Sequence, residues 1–244
     1  NLINNNWLIL IVIIPVFIAG FLEDLTSGIS INYRLSLSIL TSVGLILVSE
    51  KTVNNIDIVF LNYIFSIGIV SFLFTVVGIT VTCNAWNFID GLNGIASGVA
   101  SISLLSLSIL AYLENQIYLA EYVLILSAIS LGFMIFNLTG KIFLGDGGSY
   151  FLGTMIAWTG VVLSDISDVS PWTVFLIIIY PATEFLFTFF RRVFVKSSPF
   201  EADDLHLHTF IFKKLKNINY LSNNQVNSLS GISLVFFSFI TSFL

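Results

Sequence analysis

The amino-acid sequence predicts an all-α polytopic membrane protein with about eight transmembrane helices. Hydrophobic residues make up 57% of the 244 residues and charged residues only 9%, whereas an ordinary soluble domain contains about 25% charged residues. The mean hydropathy of +0.99 agrees with this composition. A soluble protein of this size cannot bury so much apolar surface. We therefore expect the chain to reside in a lipid bilayer.

The predicted spans are apolar stretches near the length that a helix needs to cross a bilayer, about 20 residues. They lie at 7–22, 35–49, 58–80, 95–113, 119–138, 150–164, 172–190 and 229–244. Pro15 and Pro181 fall inside two of them and predict kinks, which membrane helices tolerate. We expect a single transmembrane domain over residues 1–244. Truncation at both ends is expected too, because the chain begins with Asn1 and stops inside an apolar run.

The distribution of basic residues predicts the orientation of the helices. With eight spans, the connections 23–34, 81–94, 139–149 and 191–228 share one side of the membrane. Eight of the nine Lys and Arg residues fall there, and only Lys51 falls on the other side. The eight are Arg34, Lys141, Arg191, Arg192, Lys196, Lys213, Lys214 and Lys216. Because Lys and Arg concentrate in cytoplasmic connections, this side is predicted to face the cytoplasm.

The first polar cluster on that side is an acidic pair, Glu23 and Asp24, at the end of the first span, with Arg34 ten residues later. Adjacent acids at a cytoplasmic helix end depart from the usual basic flank, which favours a functional role. A simple helix stop at the membrane interface is the structural alternative.

The second cluster runs from Asn84 to Gly98 and is rich in Asn, Asp and Gly. Asn84, Asn87 and Asp90 recur every three residues, so a helical conformation places them along one face. The glycines in the segment permit close approach of the backbone or a positive φ. Asp and Asn side chains, together with free backbone amides, suit the binding of a hard cation and a nucleotide. A capped, glycine-rich turn is the structural alternative.

The third cluster is the glycine-rich segment 143–149, directly before another span. The N-terminus of a helix presents unpaired N–H groups and a positive dipole end, which suit a phosphate, and Gly147 is a candidate for that contact. Asp146 is anionic and cannot serve a phosphate directly. It is instead a candidate Mg²⁺ ligand, with the ion bridging to the phosphates. An ordinary turn is the alternative.

The fourth cluster is the connection 191–208, which contains both histidines of the chain, His206 and His208. A His-x-His pair can bind zinc, but the chain offers no third His and only one Cys to complete such a site. Because the histidines lie in the same connection as basic residues such as Arg192, contact with diphosphate oxygens is the favoured interpretation. For the lysines at 213–216, membrane topology and anionic-lipid binding are the alternative.

With these four clusters in order, the sequence resembles the polyprenyl-phosphate N-acetylhexosamine-1-phosphate transferases. The matching segments are Glu23-Asp24, 84–98, 143–153 and 198–208, so the resemblance covers about residues 20–210. The chain is more similar to the glycan-initiating, undecaprenyl-phosphate GlcNAc-1-phosphate transferase-like branch than to the peptidoglycan branch. Enzymes of the latter carry a Pro-x-His-His-His loop, which is absent here.

The resemblance implies transfer of N-acetylhexosamine 1-phosphate from a UDP-sugar to polyprenyl (undecaprenyl) phosphate, with release of UMP and initiation of a cell-envelope glycan. It implies a site on the cytoplasmic face of the bacterial inner membrane and Mg²⁺ as cofactor, with Mn²⁺ as an alternative. The partners are the UDP-N-acetylhexosamine, the lipid and the membrane. The resemblance implies no nucleic-acid partner and leaves open whether the protein forms a homodimer.

The resemblance also implies roles for individual residues. The catalytic set is Asp24, Glu23, Asp90 and Asp146. The substrate-binding set is Asn84, Asn93, Gly147, His206, His208 and Arg192. The metal set is Asp146 and Asn87. Within these sets, Asp24 is expected to position or deprotonate the lipid phosphate, and the histidines to contact the diphosphate. Asp90 and Asn93 are expected to hold the nucleotide, with Asn93 at the uracil.

Three departures from the family pattern stand out. The acidic pair is usually Asp-Asp, which favours Asp24 over Glu23 as the essential group, and Thr209 stands where a further histidine is common. The family normally has two or three further helices before the first motif, which supports truncation. Two alternatives stay open: an inactive fragment of the family, and a membrane transporter, for which Glu184 inside a span is the main argument.

Overall fold

The computed structural model describes residues 6–195, 206–216 and 221–243, and in these ranges its regular structure is entirely α-helical. The helices are α1 (Asn6–Thr26), α2 (Ile31–Ser49), α3 (Val59–Phe65), α4 (Gly68–Ile89), α5 (Ile95–Leu113), α6 (Ile117–Asn137), α7 (Gly145–Ile166), α8 (Pro171–Ile177), α9 (Ile179–Val195), α10 (Leu207–Lys216) and α11 (Asn223–Ser242). The predicted all-α membrane architecture is confirmed.

Among the described residues, six helices are long and apolar enough to cross a membrane, namely α1, α2, α4, α5, α6 and α7. The pair α8 and α9, bent by 83° at its break, gives a seventh if it is one span. This number is roughly in line with the predicted eight. The eighth predicted span, 229–244, overlaps the second part of α11, which is 20 residues long but begins with polar turns and is not among the six.

The third predicted span was placed too early in the chain. Instead of one helix at 58–80, the structure has the short α3, a break after Phe65, and the spanning helix α4 that continues to Ile89. The polar residues near its end do not terminate the helix, because they bond inside the bundle. Asn84, for example, donates to the Thr80 carbonyl and the Ser38 hydroxyl. The predicted connection 81–94 therefore shortens to the five residues that follow α4.

The kink predicted at Pro181 is a break between α8 and α9. Proline lacks an N–H, so the carbonyl four residues earlier, that of Ile177, loses its helical partner. Hydroxyls of Ser103 and Ser242 donate to this carbonyl at 3.4 and 3.2 Å. The other proline, Pro15, lies within α1 and leaves that helix unbroken.

The core of the bundle surrounds α7 and α5, whose spans are the most buried. Small residues let these helices approach their neighbours closely. A Cβ at Gly153 would lie 2.9 Å from the Thr82 carbonyl oxygen, so α7 and α4 are in backbone contact there. Between α5 and α6, the Ser101 hydroxyl donates to the Ser127 carbonyl at 3.0 Å.

The alternating course of the helices gathers the polar clusters at one end of the bundle. We call this the motif end, which comprises the C-terminus of α1, the N-termini of α2, α7 and α10, and the connections 90–94 and 138–144. At the opposite end, Lys51 forms an ion pair with Asp165 of α7 at 2.7 Å. The N-terminus of α7 therefore lies among the polar clusters, whereas its C-terminal part forms this ion pair.

Candidate active site

The N-terminus of α7 is held by the carboxylate of Asp24. One Asp24 oxygen accepts the backbone N–H of Asp146 at 2.8 Å, and the other accepts that of Gly147 at 3.2 Å. A carboxylate at this place satisfies unpaired amides and meets the positive end of the helix dipole. A Cβ at Gly20 would lie 2.5 Å from the Asp146 carbonyl carbon, so α1 lies directly against this turn. Asp24 thus fixes the backbone on both sides of Asp146.

The Asp146 side chain joins three of the predicted clusters. The Asn87 amide donates to one of its oxygens at 2.7 Å, and the Arg34 guanidinium forms an ion pair with the other. Arg34 also lies 4.0 Å from a carboxylate oxygen of Glu23. From the sequence, Arg34 was placed beside the acidic pair, but no contact was assigned to it. Its spacing of ten residues from the acidic pair, across a tight connection, was the available signal.

Asp90 is the third acid of this group. Burial, followed by the negative charges of Asp146 and Asp24, raises the pKa of Asp90 to about 7, against a smaller opposing effect from a hydrogen bond with the Gly145 backbone. A carboxyl group with such a pKa changes its protonation near neutral pH, as catalytic acids and bases do. The structure therefore brings Asp24, Asp90 and Asp146 within electrostatic reach of one another.

These acids fit a magnesium ion of the usual kind. No group of three or more His, Cys, Asp or Glu side chains among the described residues could by itself hold a metal. Mg²⁺ does not require one, since it commonly takes one or two carboxylates and completes its shell with water and substrate phosphates. Asp146 and Asp90 supply that donor set, and their mutual repulsion is what a dication relieves. Asn87 presents its amide nitrogen to Asp146, so it supports the carboxylate.

The two histidines form a second group on the same end. Their rings are stacked, with centroids 5.1 Å apart and planes 4° apart. The carboxylate of Glu184 lies 3.6 Å from Nδ1 of His206 and 4.0 Å from Nδ1 of His208. Burial lowers the pKa of His208 to about 4, with Glu184 acting in the opposite direction and His206 in the same one.

Glu184 was not assigned to the site from the sequence. Its place inside an apolar span was the signal, because ionisable residues in spans are costly and generally paired. Its observed contacts are with the histidines of the motif end rather than along a path through the bundle. The transporter alternative thereby loses its main argument.

Arg192 lies beside the histidines, with its guanidinium 5.6 Å from the centre of the Phe88 ring. That ring meets the His206 ring edge-on at 6.0 Å. Arg192 and the histidine pair are thus brought together as predicted from their shared connection. The remainder of the fourth cluster, residues 196–205, lies outside the described residues.

Two predicted binding residues are engaged in contacts between elements. Asn84 bonds within the α2–α4 interface. The backbone N–H of Asn93 donates to the Asn227 side chain at 2.6 Å, and its own amide donates to Asn224 at 2.9 Å. The first turns of α11 therefore hold the connection 90–94. The roles of Asn84 and Asn93 toward a nucleotide stay predictions.

A cavity of about 740 Å³ lies beside the histidine pair, between α9, α10 and α11. Its lining is mainly apolar, with charged groups at intervals. The lining residues are Tyr180, Thr183, Glu184, Phe187, Arg191, His206, Leu207, Phe210, Lys213 and Phe237. Such a lining suits a ligand with both an apolar and an anionic part.

The known proteins that this chain resembles are transferases of one kind. Residues 6–164 match the family described as Glycosyl transferase family 4. The chain is similar to the undecaprenyl-phosphate alpha-N-acetylglucosaminyl 1-phosphate transferase of Thermotoga maritima, with 33% identity over 83% of this chain and 60% of that protein. The probable undecaprenyl-phosphate N-acetylglucosaminyl 1-phosphate transferase of Bacillus subtilis is 30% identical, over 79% and 54%. The Escherichia coli O157:H7 protein with the same name as the Thermotoga one is 25% identical, over 79% and 55%. The chain thus spans 54–60% of the length of these relatives.

Proposed function

The chain belongs to glycosyl transferase family 4, and on that premise we propose that it transfers N-acetylhexosamine 1-phosphate from a UDP-sugar to a polyprenyl phosphate, releasing UMP. The convergence of Asp24, Asp90, Asp146 and Arg34 at the motif end carries this proposal. Transfer of a phosphoryl group depends on positioning and on neutralising charge more than on covalent chemistry by the protein. An acidic group with a fixed arginine, facing a histidine pair, meets that need.

Asp146 and Asp90 would hold Mg²⁺, or Mn²⁺ in its place, with Asn87 keeping the Asp146 carboxylate in position. When bound, the cation supplies positive charge to the diphosphate oxygens. Asp24 keeps the first turn of α7 in place, and its predicted action on the lipid phosphate is a separate expectation. Without the cation, Asp90 exchanges a proton near neutral pH because its pKa is raised, and a bound dication would favour the ionised carboxylate.

The histidine pair and Arg192 would contact the diphosphate of the donor. The charged guanidinium of Arg192 forms the stronger kind of hydrogen bond to phosphate oxygens and can bind two of them at once. The neighbouring cavity, with its phenylalanines and the basic residues Arg191 and Lys213, would receive the lipid acceptor. An isoprenoid chain fits the apolar lining, and its phosphate fits the basic residues.

The reaction would take place on the cytoplasmic face of a bacterial inner membrane and would initiate a cell-envelope glycan. The concentration of Lys and Arg in the connections of the motif end supports this orientation, and UDP-sugars are found in the cytoplasm. The names of the relatives favour undecaprenyl phosphate as acceptor and N-acetylglucosamine 1-phosphate as the transferred group.

The test measures UMP release by the chain in lipid nanodiscs from UDP-GlcNAc and undecaprenyl phosphate. We expect release only when the lipid and Mg²⁺ are both present, and none in EDTA. Asp146→Asn should lower the rate by about 100-fold or more, the scale of losing an electrostatic group that acts on the transition state. Asp165→Asn is the matched control, because Asp165 lies on the same helix at the opposite end.

Three outcomes would contradict the proposal. UMP release without lipid would exclude direct transfer to the acceptor. A wild-type rate for Asp146→Asn would remove that residue from the mechanism. No lipid-dependent release from any UDP-N-acetylhexosamine would refute the activity itself.

A further inference from the structure

Glu184 is a buried carboxylate on α9, and three of its contacts among the described residues reach one short segment. Its side chain is 6% exposed. One oxygen accepts the backbone N–H of Leu207, the first residue of α10, at 2.9 Å. The carboxylate also lies within ion-pair distance of Nδ1 of both His206 and His208. A single acid thus contacts three successive residues of the chain, which ordinary helix packing does not require.

The surroundings of His208 set the direction of its ring. Its Nδ1 is buried and has no hydrogen-bond partner among the described residues, with a Glu184 oxygen 4.0 Å away. On the other side of the ring, a Cβ at Gly91 would lie 2.5 Å from Nε2. The ring therefore spans the space between Glu184 and the connection 90–94, which carries Asp90. Only a glycine at position 91 leaves room for it.

An ionised carboxylate can only accept hydrogen bonds. A carboxylate beside a ring nitrogen favours the tautomer with the proton on that nitrogen, so we expect the proton of the neutral His208 ring on Nδ1 and the lone pair on Nε2. A carboxylate on one nitrogen fixes both the tautomer and the orientation of a ring that acts through the other. For His206, the Thr188 hydroxyl adds a second contact to Nδ1, at 3.3 Å.

We propose that Glu184 is a positioning residue, which holds His206 and His208 by their Nδ1 atoms and directs Nε2 of His208 toward the connection 90–94. The role in catalysis rests on the transferase activity proposed above, because a diphosphate oxygen is the group that Nε2 would meet there. The Nε2 lone pair would repel a phosphate oxygen, so this contact requires a second proton on the ring, taken from solvent, and Glu184 would offset the positive charge of the resulting imidazolium.

Several other charged groups surround the histidines. From α9 and α10, the ionisable groups that line the same cavity are Tyr180, Arg191 and Lys213, and Arg192 lies over the neighbouring Phe88 ring. The connection 90–94 contributes Asp90. Helix α11, over Asn223–Ser242, contains no ionisable side chain. Glu184 is the acid in this set that lies within 4.0 Å of both rings.

The first test is independent of enzyme activity. The chain contains only two histidines, so ¹⁵N-histidine labelling and solid-state NMR give the tautomer of each ring at neutral pH. We expect His208 as the Nδ1–H tautomer in the wild type and a shift toward Nε2–H in Glu184→Gln, whose amide can donate to Nδ1. Glu121→Gln, at an exposed glutamate of α6, should change neither ring. An Nε2–H tautomer in the wild type, or the same tautomer in both proteins, would refute the positioning role.

The second test is a double-mutant cycle on UMP release. Glu184→Gln should lower kcat/KM about tenfold or more, and Glu184→Asp should restore part of the loss. If Glu184 acts through the His208 ring, the double variant Glu184→Gln/His208→Gln should lose no more kcat/KM than the less active of the two single variants, because the effects of coupled residues are non-additive. Losses that add, together with a lowered melting temperature, would show a structural role and overturn the inference. If the wild type released no UMP, the proposed function would fail, while the NMR result would still decide the positioning of the rings.

Discussion

Replacing Asp24 should cost far more activity than replacing Glu23, although the two acids are adjacent. Both oxygens of Asp24 accept backbone N–H groups of α7, on either side of Asp146. Glu23 accepts the N–H of Ile29 in the connection between α1 and α2 at 2.7 Å, and otherwise lies 4.0 Å from Arg34. Of the two acids, only Asp24 determines the position of Asp146, the proposed metal ligand.

The expected magnitudes follow from these contacts. Asp24→Asn keeps one acceptor and presents an N–H₂ group to the second amide, so it loses one charge-assisted hydrogen bond, about 1.5–3 kcal/mol. A displacement of the first turn of α7 by about 1 Å can cost about 100-fold in rate. Glu23→Gln keeps the acceptor for Ile29 and weakens only a partly exposed ion pair, about 1 kcal/mol or less. That energy corresponds to about fivefold at most.

The assay compares initial rates of UMP release and melting temperatures for the wild type, Asp24→Asn and Glu23→Gln in the same nanodiscs. We expect a loss of about 100-fold for the first variant and less than about tenfold for the second. Equal losses, or a greater loss for Glu23→Gln, would show that the anchoring of α7 by Asp24 does not control the position of Asp146.

Three further measurements test the surroundings of the site. Gly91→Ala should lower activity about tenfold or more, because its Cβ would displace the His208 ring, whereas Gly78→Ala, with no atom within 4 Å, should not. Because the pKa of Asp90 is raised to about 7, the folded protein retains a proton that the unfolded chain releases above about pH 4, so stability falls between about pH 4 and 7. In EDTA, Asp90→Asn should therefore melt above the wild type at pH 8 and equally at pH 4; an equal difference at both would contradict the raised pKa. Asn227→Ala removes the acceptor of a backbone N–H and should lower the free energy of unfolding by about 1–3 kcal/mol; an unchanged melting curve would show that α11 does not hold this connection.

Much of the fold could be predicted because the preference for lipid is a local property of each segment. The spans at 95–113 and 35–49 agree closely with α5 and α2. The prediction failed where polar residues lie within a helix, as in α4, since hydropathy counts a polar side chain as a helix end. Whether α4 continues past a polar residue such as Asn84 depends on a hydrogen-bond partner inside the bundle, here Ser38. That partner lies 46 residues away in the sequence.

The candidate site divides in the same way. Asn87, Asp146 and the histidine pair were predictable, because short polar motifs at span ends are visible in the sequence. The contribution of Glu184 was not, because a single acid inside an apolar segment does not indicate its partner. The same holds for Arg34, whose contact with Asp146 joins residues 112 positions apart.

By itself, the sequence determined that the chain belongs in a bilayer and that its polar motifs share one end of a helical bundle. Apolar length and the number of crossings decide both properties, without knowledge of which helices touch. Tertiary structure alone decided which groups meet: Asp24 with the amides of α7, Asn93 with α11, and Glu184 with the histidines. These pairings depend on distances of a few ångströms between segments far apart in the chain, and only the packing of the helices sets such distances.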